Sequence, residues 1–141
     1  SEDQNERAQE IVAPIAPRPH DIVMKRTMPS AFFATNLTSY LINLKADSVI
    51  ACGVATGGCV RASVVDGFSH NYRMIVLKDG TFDLIEASHW VNLFDMDMKY
   101  ADVMTVDDVV EHLGGLDAGL FDDEMPVLAL EGATAFSPTE E

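Results

Sequence analysis

Residues 53–63 read GVATGGCVRAS, and they stand between an apolar run and a helical pattern. The run before them, SVIACGV at 48–54, is continuously apolar, which is typical of a strand buried on both faces of a parallel sheet. Apolar residues then recur at helical spacing and predict a helix over 59–71. Cys59 is therefore expected just past the carboxyl end of a strand, where open α/β sheets carry their reactive groups.

Cys59 has the neighbours of a reactive thiol. The N-terminus of a helix carries a partial positive charge, which favours thiolate over thiol. Gly57 and Gly58 allow a tight turn and a close approach by a substrate. The backbone N–H of Cys59 is then placed to hold an oxyanion. These features alone leave a second interpretation open, in which Cys59 is a small buried residue.

The rest of the chain alternates between predicted strands and helices. Further short strands are predicted at 21–26, 73–79 and 101–106, and further helices from about 35, at 87–100 and at 107–113. In the helix at 87–100, the residues predicted to face inward are Trp90, Leu93, Phe94 and Met98. This alternation predicts an α/β fold with a parallel sheet covered by helices.

Lys25 ends the predicted strand DIVMKR at 21–26, whose other inner residues are apolar. Its amine is expected to emerge at the same sheet edge as Cys59, where a nearby cation favours the thiolate form of a cysteine. The alternative is an ordinary exposed lysine beside Arg26.

Composition limits the classes of partner. The 141 residues are 48% hydrophobic, which suits one compact α/β domain. The formal net charge is −14, from 9 basic and 23 acidic residues, and residues 107–141 contain ten acids and no Lys or Arg. Without a basic stripe to neutralise phosphates, nucleic acid is excluded as a partner. The acidic residues indicate solubility, or adaptation to a salty cytoplasm.

Nothing in the sequence indicates a membrane or a metal. No apolar stretch approaches a membrane span, and the start, SEDQNERAQE, is unlike a signal peptide, so a cytoplasmic protein is expected. Cys52 and Cys59 fit neither a redox pair nor a zinc ligand set, and the four histidines show no metal spacing. Free thiols in a reducing compartment are the expectation.

Three stretches carry a family resemblance: DIVMKRTMPSAFFATNL at 21–37, ACGVATGGCVRASVVDGFSHNYRMIVLKDG at 51–80 and HWVNLFDMDMKYADV at 89–103. In order and spacing they resemble the isochorismatase-like cysteine hydrolases, and most closely the N-carbamoylsarcosine amidohydrolase branch. The resemblance covers about residues 11–113. It implies a Rossmann-like parallel sheet flanked by helices in three α/β/α layers.

The resemblance also implies a site. A catalytic Asp-Lys-Cys triad maps its lysine to Lys25 and its cysteine to Cys59. A cis peptide at Val54–Ala55 is implied, which aims the Ala55 N–H with that of Cys59 at the oxyanion. The residues expected near or lining the substrate pocket are Ser30, Phe32, Thr56 and Arg61. A purely structural role stays open for Phe32 and Arg61.

The implied reaction is hydrolysis of a C–N bond in a small amide or N-carbamoyl compound through a thioester, with no cofactor. Members of the family are usually oligomeric, often tetrameric. A homo- or hetero-oligomer is therefore expected.

The triad aspartate has no counterpart here. Residues 1–20 are polar and Pro-rich. Neither Asp3 nor Asp21 lies on a strand upstream of the one that carries Lys25, which is where the family has its aspartate. The N-terminal strands are therefore expected to be missing, with residues 1–113 as the C-terminal portion of the domain. A second polypeptide, or a segment removed from a precursor, would supply the aspartate. The alternative is a catalytically silent scaffold or partner subunit.

Two further positions modify the resemblance. Leu84 stands where the branch carries an arginine suited to a substrate carboxylate, so a neutral or more apolar amide is expected. His89 is expected to cap or pack its helix rather than to act in catalysis.

The tail at 114–141 is acidic, with apolar spots at Leu120–Phe121 and Val127–Leu130. A disordered tail and an arm that docks on a neighbouring subunit are both open interpretations.

Overall fold

The computed structural model describes residues 11–117. A short 3₁₀ turn lies at Ala13–Ile15. Within this range the strands are β1 (Ser48–Val54), β2 (Arg73–Phe82) and β3 (Ala101–Met104). The α-helices are α1 (Leu37–Asn43), α2 (Arg61–Ser69), α3 (Glu86–Lys99) and α4 (Val106–Gly114), and a distorted helical turn at Thr56–Val60 links β1 to α2.

The three strands form one parallel sheet in the order β1-β2-β3. Ser48 pairs with Arg73 at the start of β1, and Met74 pairs with Ala101 at the start of β3. Parallel neighbours need crossover connections, and α2 and α3 supply them. The predicted α/β class, with helices flanking a parallel sheet, is confirmed.

The core lies between the sheet and the two crossover helices. Its buried cluster is Val60, Val64, Met74, Val76, Leu93 and Met96. Met74 and Val76 lie two residues apart on β2, so they point to the same face of the sheet. Leu93 and Met96 lie three apart on α3, on one side of the helix. Each such side chain stabilises the fold by about 1.5–3 kcal/mol when buried. The cluster thereby holds α2 and α3 against the sheet.

The pairing of β1 with β2 changes register partway along. Ala51 pairs with Val76, but Gly53 pairs with Thr81, so two steps along β1 correspond to five along β2. The extra residues of β2 leave the ladder with β1, as in an enlarged β-bulge. The jump aligns the end of β2 with the end of β1, and both then stop at one sheet edge.

The predicted strand at 21–26 is wrong. These residues are irregular, and Ile22 and Val23 are exposed. A strand needs a neighbour to accept and donate its backbone hydrogen bonds. Within residues 11–117, β1 and β3 each pair with β2 and with no other strand. Lys25 therefore does not end a strand in the part of the chain that the structure describes.

The predicted inner face of α3 is partly wrong. Trp90, Phe94 and Met98 are 55%, 68% and 64% exposed, and the buried residues of this helix are Leu93 and Met96. Both sets recur at spacings of three or four, so helical periodicity alone fits either face. The inner face also carries polar groups that bond to the turn and to α2, and a count of apolar residues ignores these groups.

The predicted tail begins where α4 ends, at Gly114. Residues 118–141 lie outside the described part of the chain. The apolar spots at Leu120–Phe121 and Val127–Leu130 fall there, so the choice between a disordered tail and an inter-subunit arm stays a prediction.

Candidate active site

Cys59 lies in the turn that leaves β1 and enters α2. The peptide bond between Val54 and Ala55 is cis. The Ala55 carbonyl accepts the backbone N–H of Gly58 at 3.0 Å and that of Val60 at 3.2 Å. Gly58 interrupts the helical geometry, with φ −109° and ψ −106°. Cys59 is half-buried, and it comes one residue after this distortion, at the carboxyl end of the sheet.

A buried threonine ties this turn to α3. Thr56 is fully buried, and its Oγ1 lies 2.8 Å from Nδ1 of His89. The tautomer of the ring decides which of the two atoms donates. The His89 ring also meets Trp90 edge to face, at 4.8 Å between ring centroids. His89 thus packs within its helix, as expected, and it holds the residue that opens the turn.

A carboxylate holds the next residue of the turn. The Gly57 N–H donates to Oδ2 of Asp83 at 2.8 Å, and the Ser88 hydroxyl donates to the same oxygen at 3.3 Å. The Gly57 N–H is the largest influence that lowers the pKa of Asp83, and backbone N–H groups of Ile85 and Leu84 act in the same direction. Desolvation opposes them. The carboxylate therefore favours its charged form in this position.

Sequence reasoning missed Asp83. A signal was present, because Asp83 directly follows β2 and precedes α3, so it stands at the same sheet edge as Cys59. The predicted end of that strand was at residue 79. With the strand ending there, Asp83 was not recognised as a residue at the edge of the sheet.

Arg61 joins α2 to α3. Its Nη1 donates to Oδ1 of Asn92 at 2.7 Å, and its Nη2 lies 2.6 Å from Oδ2 of Asp95. Lys99 also pairs with Asp95, and together Lys99 and Arg61 lower the pKa of that carboxyl. The sequence leaves open whether Arg61 lines the pocket or has a structural role, and these contacts favour the structural role.

Ser30 and its neighbours pack against the start of α2, beside the turn of Cys59. The Ser63 hydroxyl donates to the Cys59 carbonyl at 2.8 Å and accepts the Ala31 N–H at 2.9 Å. Ser30 is buried, and its hydroxyl accepts the Phe32 N–H at 3.1 Å. The segment that the resemblance places at the pocket is therefore held beside the cysteine turn. The Ser30 hydroxyl already accepts a hydrogen bond within this segment.

Phe32 lies towards the other end of α2. Its ring is buried and stacks on His70 at 5.5 Å between centroids. A Cβ added to Gly67 would come within 3.1 Å of the same ring. Gly67 is eight residues beyond Cys59, about 12 Å along a helix. Phe32 is thus a packing residue in this structure, and its contact with substrate stays a prediction.

Lys25 is exposed in an irregular segment. Within residues 11–117 no hydrogen bond or ion pair joins it to Cys59. Its predicted role in catalysis therefore stays a prediction, as do the oxyanion hole of Ala55 and Cys59 and the substrate contacts of Ser30, Phe32 and Thr56.

Two cavities among the described residues bear on the location of a site. One, of about 650 Å³, lies where β2 and β3 begin, at the edge of the sheet opposite to Cys59, with Tyr72, Arg73 and Asp102 among its lining residues. The other, of about 320 Å³, lies between the end of β2 and the start of α3. The smaller one is relevant to the site, because its walls include Asp83 and His89, which hold the cysteine turn.

Between residues 11 and 117, no group of three His, Cys, Asp or Glu side chains is arranged to hold a metal ion. Over the same range, no helix has the length and apolar character needed to span a bilayer.

Comparisons with known proteins bear on this site. Residues 3–108 match the isochorismatase domain. Over 99 residues the chain is 40% identical to maleamate amidohydrolase of Pseudomonas putida, which covers 70% of this chain and 46% of the relative. Over 112 residues it is 34% identical to N-carbamoylsarcosine amidase of an Arthrobacter species, covering 79% of this chain and 42% of the relative.

A solved structure of the same family is also similar to this chain. An isochorismatase-like hydrolase from Alkaliphilus metalliredigens superposes with a TM-score of 0.71 at 30% identity, covering 74% of this chain and 57% of that one. The chain thus spans less than half the length of the two curated relatives named above. The comparison with the solved structure likewise extends over part of the fold.

Proposed function

Because the chain belongs to the isochorismatase domain family, we propose that it forms the nucleophile-bearing part of a cysteine amidohydrolase. Its substrates are small amides or N-carbamoyl compounds, and it breaks their C–N bond. Relatives named as amidohydrolases and amidases support this class of reaction. The observation that carries the proposal is the position of Cys59, half-buried in a firmly held turn at the carboxyl end of β1.

In the proposed reaction the Cys59 thiolate attacks the amide carbonyl carbon, and a C–S bond forms. The backbone N–H groups of Ala55 and Cys59 hold the resulting oxyanion. The C–N bond then breaks, and the nitrogen leaves with a proton as ammonia or an amine. Water adds to the thioester, the C–S bond breaks, and the acid and the free cysteine are released.

The other two members of the proposed triad differ in origin. Lys25 favours the thiolate through its positive charge. An aspartate on a segment outside residues 11–117 takes the thiol proton and passes it to the leaving nitrogen. A second polypeptide or a further segment of a longer precursor would carry that aspartate. The open outer edge of β1 supports this, since within residues 11–117 it has no strand beside it.

Substrate contacts in this proposal come from Ser30, Phe32 and Thr56, which belong to the turn of Cys59 or adjoin α2. The enzyme is an oligomer and needs no cofactor. It works in the cytoplasm, where its two free thiols, Cys52 and Cys59, stay reduced.

The rate of thiol alkylation tests the nucleophile. The chain is treated with limiting iodoacetamide at neutral pH, and modification at Cys52 and Cys59 is followed by peptide mass spectrometry. Exposure alone favours Cys52, which is the more exposed of the two. We expect Cys59 to react about tenfold faster or more, because a catalytic cysteine nucleophile has to be available as its thiolate. Faster reaction at Cys52 would contradict the proposal.

Ammonia release from maleamide and from N-carbamoylsarcosine gives the second readout. Cys59→Ser is expected to lower the rate on the order of 10³-fold or more, and Cys52→Ser to leave it unchanged. The native mass of the purified material shows whether a second polypeptide accompanies the chain. A reactive Cys59 with no hydrolysis, in material of a single chain, would favour the silent partner subunit.

A further inference from the structure

The 320 Å³ cavity is lined by acidic and apolar side chains. Its lining residues are Thr81, Phe82, Asp83, Leu84, Glu86, His89 and Trp90. Two of them are carboxylates, Asp83 and Glu86, and no Lys or Arg lines it within the described chain. A ligand carboxylate placed here would meet two like charges with no cation to offset them. An uncharged group meets no such penalty.

The cavity also offers apolar surface. Leu84 is 88% exposed, Phe82 57% and Trp90 55%. Such side chains gain from covering by an apolar ligand group. Of the two polar side chains that could still orient a ligand, His89 already shares its Nδ1 with Thr56.

The other is Thr81. Only 8% of this residue is exposed, and its hydroxyl is buried with no hydrogen-bond partner among residues 11–117. A buried hydroxyl without a partner is costly, so Thr81, which lines the cavity, would gain a hydrogen bond from a ligand amide that reached its hydroxyl. The cavity thus combines an unpartnered neutral hydrogen-bonding group with negative charge and apolar walls.

Its position connects it with the proposed reaction. Asp83 holds the Gly57 N–H at 2.8 Å, and His89 holds the Thr56 hydroxyl at 2.8 Å. Two walls of the cavity are therefore bonded to the turn that carries Cys59. Cys59 itself does not line the cavity, so a ligand group bound there is remote from the scissile bond.

We propose that this cavity binds the end of the substrate remote from the scissile bond, and that it selects uncharged amides against amides bearing a carboxylate. The inference rests on the amidohydrolase function proposed above. It separates this chain in substrate class from its P. putida relative, whose name gives the anion maleamate as its substrate.

Binding can be measured apart from turnover. Trp90 is the only tryptophan of the chain, so its fluorescence reports occupancy of the cavity. The Cys59→Ser protein, as the full chain with any polypeptide that purifies with it, is titrated with maleamide and with maleamate. The two probes share a skeleton and differ in one carboxylate. Equilibrium dialysis with the same probes detects any binding that does not alter the fluorescence.

We expect maleamide to bind about tenfold more tightly than maleamate or better. Leu84→Arg should reverse the order, whereas Leu84→Gln, of similar length but neutral, should keep it. Thr81→Val, which removes the hydroxyl at nearly constant volume, should weaken maleamide severalfold. Leu84 is so exposed that its variants leave the fold intact.

Tighter binding of maleamate, equal binding of both probes, or binding of neither would overturn the inference. None of these outcomes bears on the alkylation rate of Cys59. A slow Cys59 with preferential binding of maleamide would instead remove the proposed reaction and leave the cavity's selectivity standing.

Discussion

The turn at Thr56–Val60 and the segment at 21–29 were both expected to supply catalytic residues, yet the structure holds them very differently. The turn is bonded to Asp83 and His89, and its following residue Arg61 is bonded to α3. The segment is irregular, almost all of it is exposed, and Lys25 has no bond to Cys59 among the described residues. A motif match identified both with equal ease, but contacts inside residues 11–117 position only the cysteine.

This difference teaches where each part of the site is encoded. The cysteine turn needs β1, β2 and α3, all of which the chain contains. If Lys25 acts on the thiolate, the contacts that hold it there lie outside residues 11–117. Stability and reactivity should therefore respond separately to changes in the two regions.

The largest expected effect comes from Gly57→Ala. The added Cβ would lie 2.5 Å from Nδ2 of Asn92 and 2.8 Å from Oγ of Ser88. Asn92 is not free to move, because it donates to the Ser88 carbonyl and accepts from Arg61. We expect the free energy of unfolding, measured in urea, to fall by about 1–3 kcal/mol.

Gly114→Ala is the matched control, since nothing lies within 4 Å of its added Cβ. Its unfolding free energy should stay the same or rise slightly. An equal loss in both variants would show that the close contact between the turn and α3 does not matter for stability.

A pH-dependent effect is expected from Asp83→Asn. The pKa of Asp83 is held below its ordinary value of 3.8, first by the Gly57 N–H. The native charge therefore adds stability above pH 3.8, and this is lost as pH falls through the lower folded pKa. Unfolding free energies at several pH values should show a gap between wild type and variant at neutral pH that closes in acid.

Asp108→Asn separates this effect from general electrostatics. The Thr105 hydroxyl is the main group that lowers the pKa of Asp108, at the start of α4. Its variant should show the same sign of pH dependence with no change in Cys59 alkylation. Asp83→Asn should change both, and an unchanged alkylation rate would mean that the carboxylate does not position the turn.

The smallest effect on stability is expected from Lys25→Met. Because Lys25 is exposed, the unfolding free energy should stay within about 0.5 kcal/mol of wild type. Alkylation of Cys59 should nevertheless slow on the order of tenfold if the amine favours the thiolate. Arg26→Met removes the neighbouring cation and serves as the control, with no expected change in rate. Equal rates in all three proteins would exclude Lys25 from the site.

Much of the fold followed from local patterns. The apolar run at 48–54 forms β1 as predicted, but its expected burial on both faces is wrong, since no residue of β1 is fully buried and Ile50 and Val54 are exposed. The strands predicted from residues 73 and 101 begin there. Their hydrophobic content suffices, because residues on one side of each strand belong to or pack against the core cluster of the same chain. The strand at 21–26 failed for the converse reason, since its pattern is apolar but no described strand pairs with it.

The candidate site was less predictable than the fold. The motif located Cys59, but the bonds of Thr56 to His89 and of Gly57 to Asp83 join residues 33 and 26 positions apart. Whether such residues meet depends on the register of β1 against β2. The register jump falls between Ala51 and Gly53, and the glycine at 53, whose φ is +118°, was a signal that the strand prediction did not use.

That jump divides β2 into two parts with separate duties. Up to Leu77 the strand pairs with β3, and up to Val76 it also pairs with β1; beyond the jump, Thr81 and Phe82 pair with β1 alone. Between them, Asp79 accepts the Val106 N–H that begins α4. The position of Asp83 thus depends on how many residues of β2 follow its last pairing with β3, at Leu77. A change in the length of this stretch would therefore move Asp83 relative to the turn of Cys59, whereas Met74 and Val76 of the buried core pair before it.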